Sequence, residues 1–547
     1  MVADSGGDAW VMSRLLTDRY DDFTGGLNLR ADQFQLAKNE SPDMLNVEID
    51  PRGGVFSRGG YERINATAVS GTWSPKRLHK FTGATPRIML TTGAKVYQST
   101  GSNFSTLQYS AGNDIAVSYA YGASFANWGT DLYIATGVSG AGSYSWVTTD
   151  TYATAIDVLT TSHWNNNYNS PGSNKFPRAN LLAVHANKMF AAGTHVNGID
   201  YPNRLRWSHE DSPKDWAEAD YIDIVGGGNG ITGLAVVAGS LMIFKPSATY
   251  ILLGYDSDDF RLVQLSAHLG APHPLAVTVS DRSVYFYSNP EGLYEFDGSR
   301  LVDLFGNIRP ALDLGSFNSA APNAVTLSWV GHRLWMSAPY SLDTTVTDPK
   351  VNFVFDPSIG RGGSFTMFQS ADNYGLVGGC DYEDSVGNNL YLMIHPNQPR
   401  VLQVDKYSLD SDNITGTPTN FTSYYRTKWF DGGSYMQKKM FRRPDIVTKE
   451  PSTSTVINVK VYHNFEEGDG TERKNFDLTL TPSAAGIVWG AGLWGGVWGS
   501  GAASSTVLSG RNLGLARCVQ LQFTGPAGQF WGINSIGYKY QGRRVKG

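Results

Sequence analysis

Cysteine is almost absent from this sequence, because its 547 residues include only Cys380 and Cys518. Two distant thiols make neither a disulfide framework nor a zinc cluster, so we expect two small buried side chains. Charged residues are also scarce, at 17% of the chain, against roughly 25% in typical soluble proteins. The 44 basic and 49 acidic residues nearly cancel, which disfavours a strongly basic nucleic-acid binder.

Long apolar runs are missing as well. No stretch approaches about 18 consecutive apolar residues, so the sequence predicts no membrane-spanning helix. Residues 1–16 contain acidic side chains and no apolar core, which argues against a secretory signal. We therefore expect folding in a reducing cytoplasm. The chain is rich instead in glycine, with 61 residues, and in aromatic side chains, at 12%, which is too much aromatic surface for a disordered protein.

Short β-type runs separated by turn residues extend along almost the whole chain. Leu241–Phe244 and Thr249–Leu253 predict one hairpin, and Val284–Tyr287 with Leu293–Phe296 predict another. Asp297-Gly298 then predicts a tight turn, because both central residues of that turn need positive φ. Helical periodicity is weak, with short candidates only at residues 174–184, 211–217 and 306–314.

The recurrence of strand pairs predicts an all-β protein with a β-propeller core, since four strands in about 40–60 residues make one blade. A sandwich of many strands is the alternative. We predict an extended N-terminal arm over residues 1–70, a propeller over 71–424 and a C-terminal β-sandwich-like domain over 425–547.

Catalytic and metal-binding patterns are missing from the sequence. His209-Glu210 has no second histidine at the spacing of a zinc helix. The acidic clusters, such as Asp256 to Asp259, lack the continuation of a cation loop and are interpreted as hairpin tips. We therefore predict no enzyme activity, no catalytic residues, no cofactor and no metal. The basic run 438–443 is interpreted as a charged edge strand or a contact with an acidic neighbour.

Residues 21–61 contain three short patterns: F-x-G-G-L-N, N-E-x-P-x-M-x-N and G-x-x-x-R-x-G-Y. They comprise Phe23, Gly25, Gly26, Leu27, Asn28, Asn39, Glu40, Pro42, Met44, Asn46, Gly54, Arg58, Gly60 and Tyr61. This segment resembles the opening of tail proteins of double-stranded DNA phages. Residues 204–254 resemble the same proteins, with R-L-x-x-S-x-x-x-x-P-x-x-W, then I-T-G-L, then a hairpin around Phe244 and Lys245.

A third segment is rich in tryptophan and glycine, with Trp489, Trp494 and Trp498 between glycines, and the chain ends on basic residues. Exposed indoles can stack on sugars, but we favour a structural staple, because this region also resembles the C-terminus of tail nozzle or hub proteins. The interface candidates are therefore Phe23, Leu27, Met44, Tyr61, Trp489, Trp494, Trp498, Arg442, Arg443, Arg543 and Arg544.

The resemblance implies a tail nozzle or hub of a short-tailed phage, a structural virion protein synthesised in the host cytoplasm. It implies a homo-hexameric ring that binds the tail adaptor and a tail fibre or tailspike, and that lets double-stranded DNA pass during genome ejection. Contact with the host envelope is a further expectation. Two alternatives stay open: a carbohydrate-binding or depolymerising propeller at the host surface, and a minor tail protein of a long-tailed phage.

Overall fold

The structure is a computed structural model. It describes residues 15–32, 35–139, 142–147, 150–157, 175–228, 230–309, 324–340, 347–360, 362–384, 386–449, 454–466, 472–480 and 506–542. Strands dominate these ranges, and Pro274–Ala276 forms a single 3-10 turn. Within the same ranges no helix has the length and apolarity needed to cross a membrane. The prediction of an all-β fold is confirmed.

Two compact units make up the chain. Unit 1 contains Met1–Arg58, Pro357–Thr366 and Thr422–Gly547, and unit 2 contains Gly59–Asp356 and Met367–Phe421. The predicted division into a separate arm of residues 1–70 and a C-terminal domain therefore needs correction. Residues 16–57 supply strands to the same sheets as residues 424–542, because their backbone groups pair with C-terminal strands.

Seven four-stranded antiparallel sheets, the blades of a propeller, are built from unit 2, except that residues 364–366, which begin the fourth strand of blade 6, are counted with unit 1. Blade 1 contains Pro75–Phe81, Arg87–Thr92, Val96–Ser99 and Ser105–Thr106; blade 2 contains Ser124–Trp128, Asp131–Ala135, Ser143–Val147 and Thr154–Ile156; blade 3 contains Arg178–His185, Lys188–Val196, Ile199–Trp207 and Tyr221–Asp223; blade 4 contains Gly233–Val237, Ser240–Phe244, Thr249–Leu253 and Arg261–Ser266. Blade 5 contains Val277–Val279, Val284–Ser288, Gly292–Phe296 and Leu301–Asp303; blade 6 contains Thr326–Val330, Arg333–Ala338, Val351–Asp356 and Ser364–Phe368; blade 7 contains Val377–Glu383, Asn389–Ile394, Val401–Lys406 and Gly60–Arg63. A small hairpin, Gln108–Ser110 with Asn113–Asp114, follows blade 1.

The first strands of the blades form a closed ring. Those of blades 2 to 7 contact each other in sequence, and the first strand of blade 7 contacts that of blade 1. Hydrogen bonds of Asn127 with His79 and Lys80 join the first strands of blades 1 and 2. Apolar clusters fill the spaces between neighbouring blades, for example between blades 4 and 5, where Phe244 and Phe286 lie with centroids 5.1 Å apart. The seven blades therefore enclose a central axis.

The sequence located the strand pairs of the predicted hairpins correctly. The turn at Asp297-Gly298 differs from the prediction, because Gly298 has a φ of +94° whereas the φ of Asp297 is not positive, and the connection runs from Asp297 to Arg300. Asp297 Oδ1 accepts hydrogen bonds from the backbone N–H groups of Ser299 and Arg300 in this turn.

The three helix predictions are wrong where the structure describes them. Arg178–His185 is a strand, residues 211–214 form turns and a β-bridge, and residues 215–217 have no regular structure. Residues 306–309 form turns, whereas 310–314 lie outside the described residues.

The described residues of unit 1 form two large sheets and one two-stranded sheet. In the larger sheet Gly532–Gly542 is central, and the strands are Thr506–Ser509, Asp445–Thr448, Gly532–Gly542, Lys439–Phe441, Gly514–Ala516, Leu16–Tyr20, Val55–Ser57 and Val47–Ile49. The smaller sheet is ordered Asp43–Leu45, Tyr424–Arg426, Val519–Thr524, Thr455–His463 and Lys474–Leu480, and a parallel pair joins Gly26–Leu27 to Glu40–Ser41. Burial alternates strictly from Asn475 to Leu480, as expected for a strand with one face on a core.

Blades 1 and 2 are joined through the partly buried His79. Its Nε2 donates to Asn127 Oδ1 at 3.0 Å, its ring stacks on Phe125, and the Asn127 amide nitrogen donates to Lys80 O. Burial lowers the pKa of His79 from 6.5 to about 4, and the charge of Arg77 acts in the same direction. The folded protein therefore keeps this imidazole neutral.

We expect this histidine to make the propeller sensitive to acid. Because the pKa is lower in the folded state, the unfolded chain takes up a proton first as the pH falls below 6.5, so stability is lost between pH 6.5 and 4. The wild-type advantage over His79→Gln should shrink by about 2 kcal/mol between pH 7 and 4.5. Urea unfolding of both proteins at several pH values measures this; a constant difference would contradict it.

Candidate functional site

The apolar residues of the first two N-terminal patterns lie in the interior of unit 1. The Phe23 ring packs edge-to-face on Tyr425 at 5.3 Å, and Met44 lies opposite Tyr425 in the smaller sheet. Phe23, Leu27 and Met44 are at most 1% exposed. The prediction that these side chains form a docking surface is therefore wrong in that form, because the chain itself covers them.

Asn46 and Arg58 hold two turns of this segment together. Asn46 has a φ of +54°, a left-handed conformation that asparagine tolerates better than most residues. Its side-chain nitrogen donates to Thr422 O at 2.8 Å, and its Oδ1 accepts from Arg58 Nε at 2.9 Å. Arg58 is 2% exposed. Both pattern residues are thus required by the local fold of unit 1.

Tyr61 lies in the strand that completes blade 7. The strand Gly60–Arg63 pairs with Val401–Lys406, and the Tyr61 side chain joins a buried cluster that includes Trp335. Its backbone N–H donates to Asp412 Oδ1 at 3.0 Å. A Cβ atom at Gly60 would lie 2.2 Å from Ser411 O, so only glycine fits there. Tyr61 is therefore a core residue of the propeller, and its assignment to a docking surface is also corrected.

The second pattern supplies buried anchors between blades. Trp216 is 1% exposed and packs edge-to-face on Phe176 at 5.1 Å. The fully buried Lys245 donates to Ile224 O at 2.7 Å and to Asn203 Oδ1 at 3.0 Å. Burial lowers the pKa of Lys245, since its two acceptors are uncharged. These residues stabilise the contact between blades 3 and 4. Their structural roles account for the pattern of residues 204–254 without a catalytic role.

A serine, an aspartate and a histidine meet in unit 2, but not as a catalytic triad. Ser370 Oγ donates to Asp372 Oδ1 at 2.6 Å, and His395 Nε2 lies 3.0 Å from the same oxygen. His395 Nδ1 accepts from Gln398 N at 2.8 Å. The serine therefore contacts the carboxylate rather than the imidazole, whereas in a catalytic triad the histidine accepts the proton of the serine.

Metal-binding geometry is equally missing from the part of the chain that the structure describes, where no three histidine, cysteine or acidic side chains are grouped to hold an ion. Asp259 Oδ1 instead accepts from the backbone N–H groups of Tyr255 and Asp256. Burial raises the pKa of Cys518 to about 11 and of Cys380 to about 12, so both thiols stay protonated at neutral pH.

Side chains cross the axis of the propeller. Arg77 in blade 1 donates through Nη2 to Pro274 O, just before blade 5, at 3.1 Å. Tyr121, which precedes blade 2, stacks on His273 with centroids 4.9 Å apart and planes 9° apart. His273 is fully buried. These contacts close the axis, so it offers no path for a nucleic-acid duplex.

The basic run is partly interior and partly surface. Lys439 is 3% exposed and donates through Nζ to Ser434 O, and Phe441 is fully buried. Lys439–Phe441 pairs on both sides, with Gly514–Ala516 and Gly532–Gly542, so its interpretation as an edge strand is wrong.

We call the exposed remainder the basic surface; it consists of Lys438, Arg442 and Arg443. Arg442 Nη2 donates to Gln541 Oε1 at 2.9 Å, and Met436 lies nearby in sequence with 85% exposure. Among the other interface candidates, Trp489, Trp494, Trp498, Arg543 and Arg544 lie outside the described residues.

Comparisons with known proteins give little beyond the fold. No model of a known protein family matches the chain, and no curated protein matches it. One similar solved structure is the extracellular domain assigned to a one-component system of B. thetaiotaomicron, at 9% identity and a TM-score of 0.36, covering 71% of this chain and 44% of that one. Another is a chain of the mitotic checkpoint complex, at 9% identity and a TM-score of 0.34, covering 62% of this chain and 98% of that one. This chain thus spans less than half the length of the first.

Proposed function

We propose that this protein is a structural component of a phage virion, a ring-forming tail nozzle or hub that attaches below the portal and adaptor. The observation that carries the proposal is the set of pattern residues shared with such tail proteins. Asn46, Arg58, Gly60 and Tyr61 occupy positions where unit 1 and the last blade need those residue types. Because these pattern residues are needed for the fold, sharing them supports a fold in common with the tail proteins. Shared residues scattered over the surface would support it less.

In this proposal DNA passes between subunits of the ring rather than through any propeller. Arg77 and the Tyr121–His273 stack occupy the axis of unit 2, so a channel has to be lined by the outer surfaces of several copies. A closed ring needs heterologous interfaces, in which one face of a subunit meets a different face of the next. The net charge of −5 is consistent with a lumen that holds DNA phosphates weakly.

The basic surface is the proposed contact with an acidic adaptor. Lys438, Arg442 and Arg443 are exposed, and the chain continues beyond Gly542 into Arg543 and Arg544. Charges at an interface rim raise the association rate and make binding sensitive to salt.

The test combines assembly with charge reversal. We expect the purified full chain to form a homo-hexamer in native mass spectrometry and to bind its adaptor. The double variant Arg442→Glu with Arg443→Glu should weaken adaptor binding by about tenfold or more at low salt. The difference should nearly vanish at about 1 M salt, where the Debye length falls to about 3 Å.

Arg282→Glu is the matched control, because Arg282 is also exposed but lies in a turn of blade 5. It should bind the adaptor like the wild type. A chain that stays monomeric with its adaptor would overturn the proposal. Binding of host polysaccharide on a glycan array would also overturn it, in favour of the carbohydrate-binding alternative. Equal weakening by all three charge changes would overturn the assignment of the basic surface.

A further inference from the structure

A cavity of about 230 Å³ lies where the first strands of the blades converge on the axis of the propeller. Its walls come from the first strands of all seven blades, including Arg77, Ser124, Leu182, Thr278, Ser328 and Gly379. For comparison, an engineered cavity of about 150 Å³ already takes up benzene. The space is therefore large enough for a small polyatomic ligand.

Arg77 brings a positive charge into this cavity without a carboxylate to balance it. Among the lining residues that the structure describes there is no aspartate or glutamate. The hydrogen bond from Nη2 to Pro274 O uses one of the five N–H groups of a guanidinium, and Pro274 O carries no formal charge. Burial lowers the pKa of Arg77, while Tyr119 acts weakly in the opposite direction. A charge in such a place is costly unless an anion accompanies it.

Hydroxyl groups in the cavity wall have protons left to donate. Ser124 Oγ accepts a hydrogen bond from Leu182 N at 3.0 Å, and Ser328 Oγ accepts from Gly379 N at 2.8 Å. Thr278 Oγ1 likewise accepts from the backbone N–H of Trp329 at 3.2 Å. Since each oxygen is already an acceptor, its own O–H proton is available to a further acceptor.

Thr326 gives separate evidence that a hydrogen-bonding group belongs in the cavity. It lines the same cavity and is 7% exposed, yet its buried Oγ1 has no hydrogen-bond partner in the described structure. Buried hydroxyls are normally satisfied, so an orphaned one calls for a ligand or an ordered water. Water would satisfy the hydroxyls, but it would not balance the charge of Arg77.

We propose that the axial cavity binds a small tetrahedral oxyanion, of the phosphate or sulfate class, with Arg77 as its charged anchor. The planar fork of a guanidinium donates two parallel hydrogen bonds to such an anion. Hydroxyl donors from blades 2, 5 and 6 then surround the remaining oxygens. The bound anion would tie these blades to blade 1 at the point where their first strands converge.

The first measurement is direct binding to the full-length protein. We expect inorganic phosphate to show saturable line broadening in phosphorus NMR, competed by sulfate and weakly by acetate. The melting midpoint of the propeller should rise with phosphate at constant ionic strength, following mass action for a ligand of the folded state. Because sulfate and phosphate also stabilise proteins non-specifically, only the saturable part of this rise counts.

Arg77→Gln should abolish the saturable broadening and the saturable part of the melting shift. Arg443→Gln, which removes an exposed arginine from unit 1, should change neither. Equal binding by wild type and Arg77→Gln, or no saturable binding by wild type, would overturn the proposal.

If Arg77→Gln does not fold, Thr326→Val tests whether the axial cavity binds the oxyanion. This variant removes a hydroxyl without a partner, so in chloride it should melt at the wild-type temperature or above. Its affinity for phosphate should nevertheless fall several-fold. Unchanged phosphate affinity would count against the cavity as the binding site.

Discussion

Deletion of residues 1–63 is expected to unfold the propeller rather than merely detach a docking arm. The deleted chain includes Gly60–Arg63, the fourth strand of blade 7, which pairs with Val401–Lys406. Without it, blade 7 exposes an unpaired strand edge and the apolar cluster around Trp335 loses Tyr61. We expect loss of cooperative melting and rapid cleavage by a protease at low concentration.

Two point variants test the same closure without shortening the chain. Tyr61→Ala should cost about 3–5 kcal/mol, the range for truncating a large buried aromatic side chain. Asp412 Oδ1 accepts from Tyr61 N and Oδ2 accepts from Ala371 N at 2.8 Å, so Asp412→Ala leaves two backbone donors without these acceptors. It should cost roughly 2–5 kcal/mol.

Val225→Ala is the control, since it truncates a side chain of unit 2 that is 85% exposed. It should leave the melting temperature unchanged. If the deletion of residues 1–63 melts like the wild type, Gly60–Arg63 does not close the propeller.

Trp531→Ala is the second change with a large expected effect, and it acts on unit 1. Trp531 is fully buried, its Nε1 donates to Ser423 Oγ at 2.7 Å, and its backbone N–H donates to Ser57 Oγ at 3.2 Å. The fit is tight, since a Cβ atom on Gly525 would lie 1.9 Å from Trp531 Nε1. We expect a loss of about 3–5 kcal/mol of unfolding free energy.

Urea unfolding followed by tryptophan fluorescence and by circular dichroism measures this loss. Met436→Ala, which truncates a side chain that is 85% exposed in the same unit, should change stability by no more than about 0.5 kcal/mol. Similar losses from both variants would mean that Trp531 is not an anchor of this unit.

The blades could be predicted from the sequence because their information is local. A turn such as Asp297-Gly298 specifies its own backbone, and the apolar runs on either side pair across it. The same kind of local signal predicts a helix wrongly at Arg178–His185. There Leu181 and Leu182 adjoin each other and mimic a helical face, whereas in the structure they face different apolar clusters.

The pairing of distant segments could not be predicted in the same way. Nothing near Tyr61 indicates that its strand completes a sheet with Val401–Lys406, and nothing near Lys439 shows that both of its edges are covered. The crossing of the axis by Arg77 is equally non-local, since Pro274 lies four blades further along the chain. The N-terminal patterns single out the apolar residues Phe23, Leu27 and Met44. Apolar residues suit a core and a subunit interface equally well, so the sequence does not distinguish the two.

The pairing of Gly60–Arg63 with Val401–Lys406 also delays completion of the propeller until late in synthesis. Arg63 pairs with Leu402, so the ribosome has to add about 340 residues before the partner of that strand exists, which takes roughly 20–70 s at ordinary rates of translation. During that time Gly60–Arg63 is an unpaired β-segment. Leu16–Tyr20 and Val55–Ser57 gain their partner Gly532–Gly542 later still. Contacts this distant in sequence slow folding. Newborn chains should therefore depend on chaperones, and a ribosome that stalls before residue 400 should release a product that aggregates.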